Sequence, residues 1–122
     1  MTPDQINALT PDQLRVKCAE AMGWRMVGRC QRLGHAPNKP LPRPRAIPPF
    51  DSDPRAALTL CDHLAEKGWR IYIETETQGW RCCIHRLIDR EDYLQVGAAD
   101  TLPLAICKAF LTVCESEGKE TR

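Results

Sequence analysis

The chain predicts an α+β fold, a small antiparallel sheet flanked by helices in an α/β/α sandwich-like arrangement, ordered α-β-α-β-β-(β)-α. Three observations carry that expectation. Trp69 to Thr75 alternates apolar and polar residues, turns at Glu76-Thr77-Gln78-Gly79, and returns from Trp80 to Leu87, which is the pattern of a hairpin. Ala57, Leu60, Cys61 and Leu64 recur at helical spacing before that hairpin. Leu102, Ile106, Ala109, Phe110 and Val113 do the same after it.

The elements follow in order. Thr2-Pro3-Asp4-Gln5 recurs as Thr10-Pro11-Asp12-Gln13, and each copy reads as a capping box with proline at the first helical position. The first copy starts a short helix. The second starts a full helix over about 11–22, with Leu14, Cys18, Ala21 and Met22 on one face and Gly23 as its stop. Trp24 to Cys30 has strand-like alternation. Six prolines then fall within 31–49 (Pro37, Pro40, Pro42, Pro44, Pro48 and Pro49), a composition that predicts extended chain without regular packing. Asp53 caps the central helix over about 54–67, with Pro54 at its first position and Gly68 as its stop. A short strand is expected near Tyr93-Leu94-Gln95-Val96, and Asp100 or Thr101 caps a last helix over about 102–116. The 122 residues suit one domain, 1–122, carrying a basic proline-rich loop at 31–50.

Composition narrows the setting. With 43% hydrophobic and 27% charged residues the chain reads as a globular protein, and no apolar run reaches membrane-spanning length. The N-terminal residues lack a signal-peptide pattern. Seven cysteines, an odd number without C-x-x-C spacing, fit a reducing interior better than a disulfide framework. A cytoplasmic protein is the expectation. Charge is uneven: residues 1–50 hold eight Lys/Arg against three Asp/Glu, and residues 21–50 hold no acid.

That acid-free stretch carries Arg25, Arg29, Arg32, Lys39, Arg43 and Arg45, with His35 among them. Such cations suit phosphate or an acidic protein surface. Only Trp24 and Phe50 lie nearby as aromatics, so base stacking, and with it nucleic acid, is the weaker reading. The competing reading is a solubilising loop. Cys82-Cys83-x-His85 resembles a metal set, but alternate strand residues point to opposite faces, so buried cysteines beside a surface histidine are favoured and no metal is expected. Asp51 and Asp53 flank Ser52 at a helix start, where capping and the helix dipole account for both. His63 reads as an exposed helical residue, and Trp24, Trp69 and Trp80 as core or rim. No nucleophile elbow, phosphate loop or zinc-hydrolase signature is present, so no catalytic residue and no cofactor is expected.

Three segments together resemble a known family. Leu14 through Trp24, ending Cys18-Ala19-Glu20-Ala21-Met22-Gly23-Trp24, resembles the close of the family's first helix. Pro48-Pro49-Phe50-Asp51-Ser52-Asp53 with Ala56-Ala57 is similar to its lead into the second helix, with Phe50 where tyrosine is usual. Pro103 through Leu111 resembles its closing helix. The family is the phage ABA-sandwich domain. The resemblance implies a small sheet flanked by helices, a phage or prophage origin and no assigned catalytic residues. The expected function is therefore that of a small non-enzymatic accessory protein that binds a host component in the host cytoplasm and inhibits an anti-phage defence system. In that reading Arg32, Lys39, Arg43 and Arg45 meet an acidic host protein and Phe50 serves as an apolar anchor. Two alternatives stand beside it: an oligomeric binder that sequesters an anionic nucleotide signal, and a virion or morphogenesis component.

Overall fold

The computed structural model describes residues 1–27, 33–37, 44–88 and 91–120. Two helices open the chain, α1 (Pro3–Asn7) and α2 (Pro11–Ala21). Both copies of the Thr-Pro-Asp-Gln echo form complete capping boxes. Thr2 Oγ1 accepts from the Gln5 N–H at 3.2 Å while Gln5 Oε1 accepts from the Thr2 N–H at 2.8 Å, and Thr10 and Gln13 repeat this at 3.2 and 2.9 Å.

Helix α2 and the central helix α3 (Pro54–Glu66) stop in the same way. Gly23 and Gly68 take left-handed backbone, with φ of 96° and 94°. The following tryptophan reaches back in each case: the Trp24 N–H donates to Ala19 O at 2.9 Å and the Trp69 N–H to Leu64 O at 3.1 Å. These are Schellman stops, and each Gly-Trp pair turns the chain from a helix toward a strand. At the other end of α3, Asp53 Oδ1 accepts from the Arg55 N–H at 2.9 Å, which makes it the cap.

A small antiparallel sheet of β1 (Arg25–Met26), β2 (Leu33–His35) and β3 (Arg45–Ala46) follows α2 in the order β1-β2-β3. This corrects the expectation that 31–49 holds no regular structure. Pro37 follows β2 and Pro44 precedes β3, so among the described residues the prolines flank the strands without interrupting them. The strand expected over Trp24–Cys30 is reduced to Arg25–Met26, and Gly28 to Cys30 lie outside the described residues.

The main sheet is β4 (Arg70–Glu76), β5 (Gly79–Ile88) and β6 (Glu91–Ala99), antiparallel in that order. Ile71 lies opposite Ile84 and Ile73 opposite Cys82, so the hairpin register gathers the apolar positions on one face as the alternation predicts. Strand β6 is a full nine-residue strand, longer than the short one expected. The last helix, α4 (Leu102–Glu120), begins where Thr101 O accepts the Ala105 N–H at 3.1 Å. The α+β class and the order of its major elements are as the sequence predicts.

Helix α4 lies across the inner face of β5 and β6, and α1, α2 and α3 pack against α4. Its seat is Gly97 on β6. A Cβ there would fall 2.5 Å from Ala105 O and against the Ala109 backbone nitrogen, so backbone meets backbone with no room for a side chain. Around that seat Ile106, Phe110 and Val113 of α4, Leu14 and Cys18 of α2, Leu60 and Leu64 of α3, and Cys82 and Ile84 of β5 form the core. The buried aromatic Phe110 alone carries about 3–5 kcal/mol of stability against truncation to alanine.

Gly97→Ala is expected to lower stability by on the order of 1–3 kcal/mol or more, because the added carbon meets backbone that cannot swing aside. Ala98→Val, one residue on and exposed on the opposite face, is expected to stay within about 0.5 kcal/mol. Urea unfolding of the two variants beside the parent checks both.

Candidate functional site

The residues expected to bind a partner do not come together. Arg32, Lys39 and Arg43 lie outside the described residues. Arg45 is exposed on β3 and Arg25 on β1. Their registers put Arg45 on the same side as Gly34 and Met26, and Arg25 on the other side with His35. The two strand cations therefore point apart.

Phe50 is not a surface anchor. It is only 2% exposed and belongs to the core. The backbone explains why: the Phe50 N–H donates to Pro48 O at 2.8 Å and the Asp53 N–H to Pro49 O at 2.9 Å. This tight turn rolls the ring inward, and the Cys107 Sγ–H of α4 fastens it by donating to Phe50 O at 3.1 Å.

Asp51 likewise departs from the capping role expected of it. It is the one buried charged side chain among the described residues, at 8% exposure. Arg15 of α2 grips it with both arms of its fork: Nε donates to Oδ1 at 2.6 Å and Nη2 to Oδ2 at 3.1 Å. Arg15 Nη2 also reaches Asp12 Oδ1 at 3.1 Å. The hydrogen bond to Asp51 raises the Arg15 pKa, against the opposing effect of burial. Asp51 and Asp53 thus serve two separate structural tasks and do not form an acid–base pair. Nearby the Cys18 Sγ–H points at Cys107 O, 3.8 Å away. The three segments that carry the family resemblance meet at this joint of α2, the Pro48–Asp53 turn and α4.

Cys82 is buried against Cys61, whereas Cys83 and His85 turn to the other face of β5. Among the described residues no three or more His, Cys, Asp or Glu side chains are placed to hold a metal ion. His63 is half-buried, contrary to its expected exposure, with its ring edge-on to Phe110 at 6.2 Å. Trp69 is buried with the Arg86 guanidinium 4.3 Å above its ring, a cation–π contact.

The surface that does gather chemistry is the outer face of β4–β6, opposite α4. Tyr72, Cys83 and Val96 stand abreast across the three strands, and Arg70, His85 and Leu94 form the adjoining row. Tyr72, Leu94 and Val96 are 52%, 56% and 43% exposed. The Tyr72 and His85 rings stack 5.1 Å apart and 18° from parallel. Glu74 and Arg81 form the next row, and Arg81 is ion-paired with Glu76. The result is a flat apolar and aromatic patch with charges of both signs at its margins, a surface suited to contact.

Sequence reasoning missed this patch because of β6. Leu94 and Val96 are its apolar alternating residues and would ordinarily face the core. They face out because Gln95, Gly97 and Ala99 share the parity that meets α4. The available signal was Gly97 itself, a strand glycine that marks a close approach.

Compared with protein-family models, with curated proteins and with solved structures, the chain matches none.

Two outcomes follow from the buried groups. Asp51→Leu strands Arg15 and is expected to cost about 3 kcal/mol, Arg15→Met strands Asp51 in the same way, and the double variant Arg15→Met/Asp51→Leu loses less than either single change. Equilibrium denaturation of the four proteins measures this. Burial pushes the Cys18 thiol up from 9.0, whereas the hydrogen bond shared by Cys61 and Cys82 lowers the first thiol and raises the second, so that pair has opposing effects. A raised pKa means that the unfolded chain ionises first, so stability holds below pH 9 and falls as pH rises above it. Thermal melts from pH 7 to 10.5 should show that fall, and Cys18→Ala should make it shallower.

Proposed function

We propose that this is a phage or prophage accessory protein that works by binding a host component, with the outer face of the β4–β6 sheet as its contact surface, and that it inhibits a bacterial anti-phage defence system. The observation that carries the binding role is the joint exposure of Tyr72, Leu94 and Val96 on one flat face. Rigid aromatic and aliphatic groups set on strands are what a protein interface uses as anchors. The marginal charges Arg70, Glu74 and Arg81 supply orientation.

The phage assignment rests on the resemblance of three segments. Their convergence on the Arg15–Asp51 and Cys107–Phe50 contacts supports reading them as fold-defining, with recognition displaced to the sheet. Buried thiols at Cys18, Cys61, Cys82 and Cys107 support action in the reducing cytoplasm of a host cell. The basic residue Arg45 stays available for a second, electrostatic contact.

A second reading has one observation in its favour. Tyr72 and His85 present stacked rings beside Arg70 and Arg81, groups that suit the base and phosphate of a nucleotide. Sequestration of an anionic nucleotide signal would then use the same face.

The test is a plaque assay on defence-carrying bacteria that express the chain. The parent is expected to restore plaquing of a sensitive phage. Leu94→Glu/Val96→Glu should lose that restoration while melting within about 4 °C of the parent. A variant that restores plaquing as well as the parent would remove the sheet face from the mechanism. A saturable rise in melting temperature with a cyclic dinucleotide, lost in Tyr72→Ala, would select the second reading.

A further inference from the structure

We infer that strand β4 is a homodimerisation edge, at which a second copy of this chain adds its own β4 antiparallel and extends two three-stranded sheets into one of six strands. The inference does not rest on the function proposed above: it concerns how the edge of the sheet pairs, although Arg70, Tyr72 and Glu74 belong to both the edge and the outer face.

The sheet order leaves β4 at an end. It pairs with β5 on one side, and among the described residues no strand pairs with the other. Tyr72 to Glu76 are exposed, and Ile73 is 39% exposed although it lies on the inner, apolar face. Helix α4 covers β5 and β6 and stops short of β4, which is why Ile73 is left uncovered. Exposed edges usually carry a device against pairing, such as proline, charged side chains (lysine above all), a bulge or an inward-pointing charge. The charges of β4, Arg70, Glu74 and Glu76, all lie on its outer face and are of both signs. Arg70-Ile71-Tyr72-Ile73-Glu74-Thr75-Glu76 carries no proline and no lysine, its register with β5 runs unbroken from Arg70 to Glu76, and its inward positions are Ile71, Ile73 and Thr75.

The sequence of the strand fits itself. In an antiparallel pair about a two-fold axis normal to the sheet, inner residues must meet inner residues, so the axis passes through a residue. Ile73 is the midpoint of β4, and an axis there is the one that pairs all seven residues. It sets Ile73 against its copy and Ile71 against Thr75 on the inner face. On the outer face it sets Arg70 against Glu76 and Tyr72 against Glu74. Both ends then close with opposite charges, and the exposed isoleucine is covered by its own twin. Any other axis that keeps inner against inner shortens the overlap and leaves at least one terminal charge without its match.

The opposite edge is a poorer candidate. The same operation on β6 sets Asp92 against Ala98 and Glu91 against Ala99, with no charge match. Beside Gln95 of β6 the N-terminal segment is already present, with Met1, Pro3 and Ile6 lining a cavity of about 180 Å³ that Gln95 shares.

Sedimentation equilibrium on the full chain tests the assignment. The parent should sediment at twice the chain mass of 13.8 kDa. Each of Arg70→Glu and Glu76→Arg should raise the dimer dissociation constant by roughly tenfold or more, since the two-fold axis repeats each clash. The double variant Arg70→Glu/Glu76→Arg should return it to within about threefold of the parent. Ile73→Lys should be monomeric with an unchanged far-ultraviolet circular dichroism spectrum. Arg81→Ala, which removes the partner of Glu76 within the chain, should remain dimeric and so separates the two roles of Glu76. A monomeric parent at 100 µM would overturn the assignment, as would a dimer that survives Ile73→Lys. A charge-swapped double variant no tighter than the single variants would overturn it equally.

Discussion

The contact on which the rest of this structure depends is the seat of α4 against Gly97. Helix and strand meet there through backbone, because Gly97 offers no side chain and Ala105 and Ala109 bring the helix wall against it. That closeness lets one helix touch the sheet along β5 and β6 and still present its other flanks to α1, α2 and α3. Ile106, Phe110 and Val113 can then be buried completely. Helix packing of this kind gains from dense dispersion contacts over a long line, and it leaves little tolerance for added volume.

A second constraint holds the helices to one another. The Arg15–Asp51 ion pair and the Cys107 contact with Phe50 tie α2, the turn before α3, and α4 at one joint. A buried pair of this geometry contributes little net stability over an apolar substitute, yet it penalises every arrangement that separates the partners. It therefore fixes how the helices are placed more than how strongly they hold. Segments from all three parts of the chain, 14–24, 48–57 and 103–111, contribute to this joint, so they act on architecture. The exposed apolar patch is elsewhere, on strands whose side chains the joint does not use.

Much of the fold was legible because its signals are local. The two capping boxes, the Gly-Trp stops after α2 and α3, the Asp53 cap and the β4–β5 hairpin each depend on residues a few positions apart. The candidate site was less legible. Phe50 reads as a surface anchor because it ends a polar loop, and only the turn through Pro48 and Pro49 shows that it points inward. Asp51 reads as a helix cap because it stands two residues from Asp53, and only the approach of Arg15 from α2 gives it a different partner. Leu94 and Val96 read only as part of a short strand with no face assigned, and the parity of β6 alone shows that they point outward.

The sequence by itself determined where the helices start and stop, which segments pair as a hairpin, and the α+β class, since these follow from hydrogen-bond capping and from periods of 3.6 and 2 along the chain. Tertiary structure alone decided which face of β6 meets the core. Hydrophobicity favours turning Leu94 and Val96 inward, but the gap to α4 is too narrow for them, and the strand instead turns its glycine and small residues to the helix. Proximity between elements distant in sequence overrode polarity at that strand, and in doing so it placed the apolar patch on the surface.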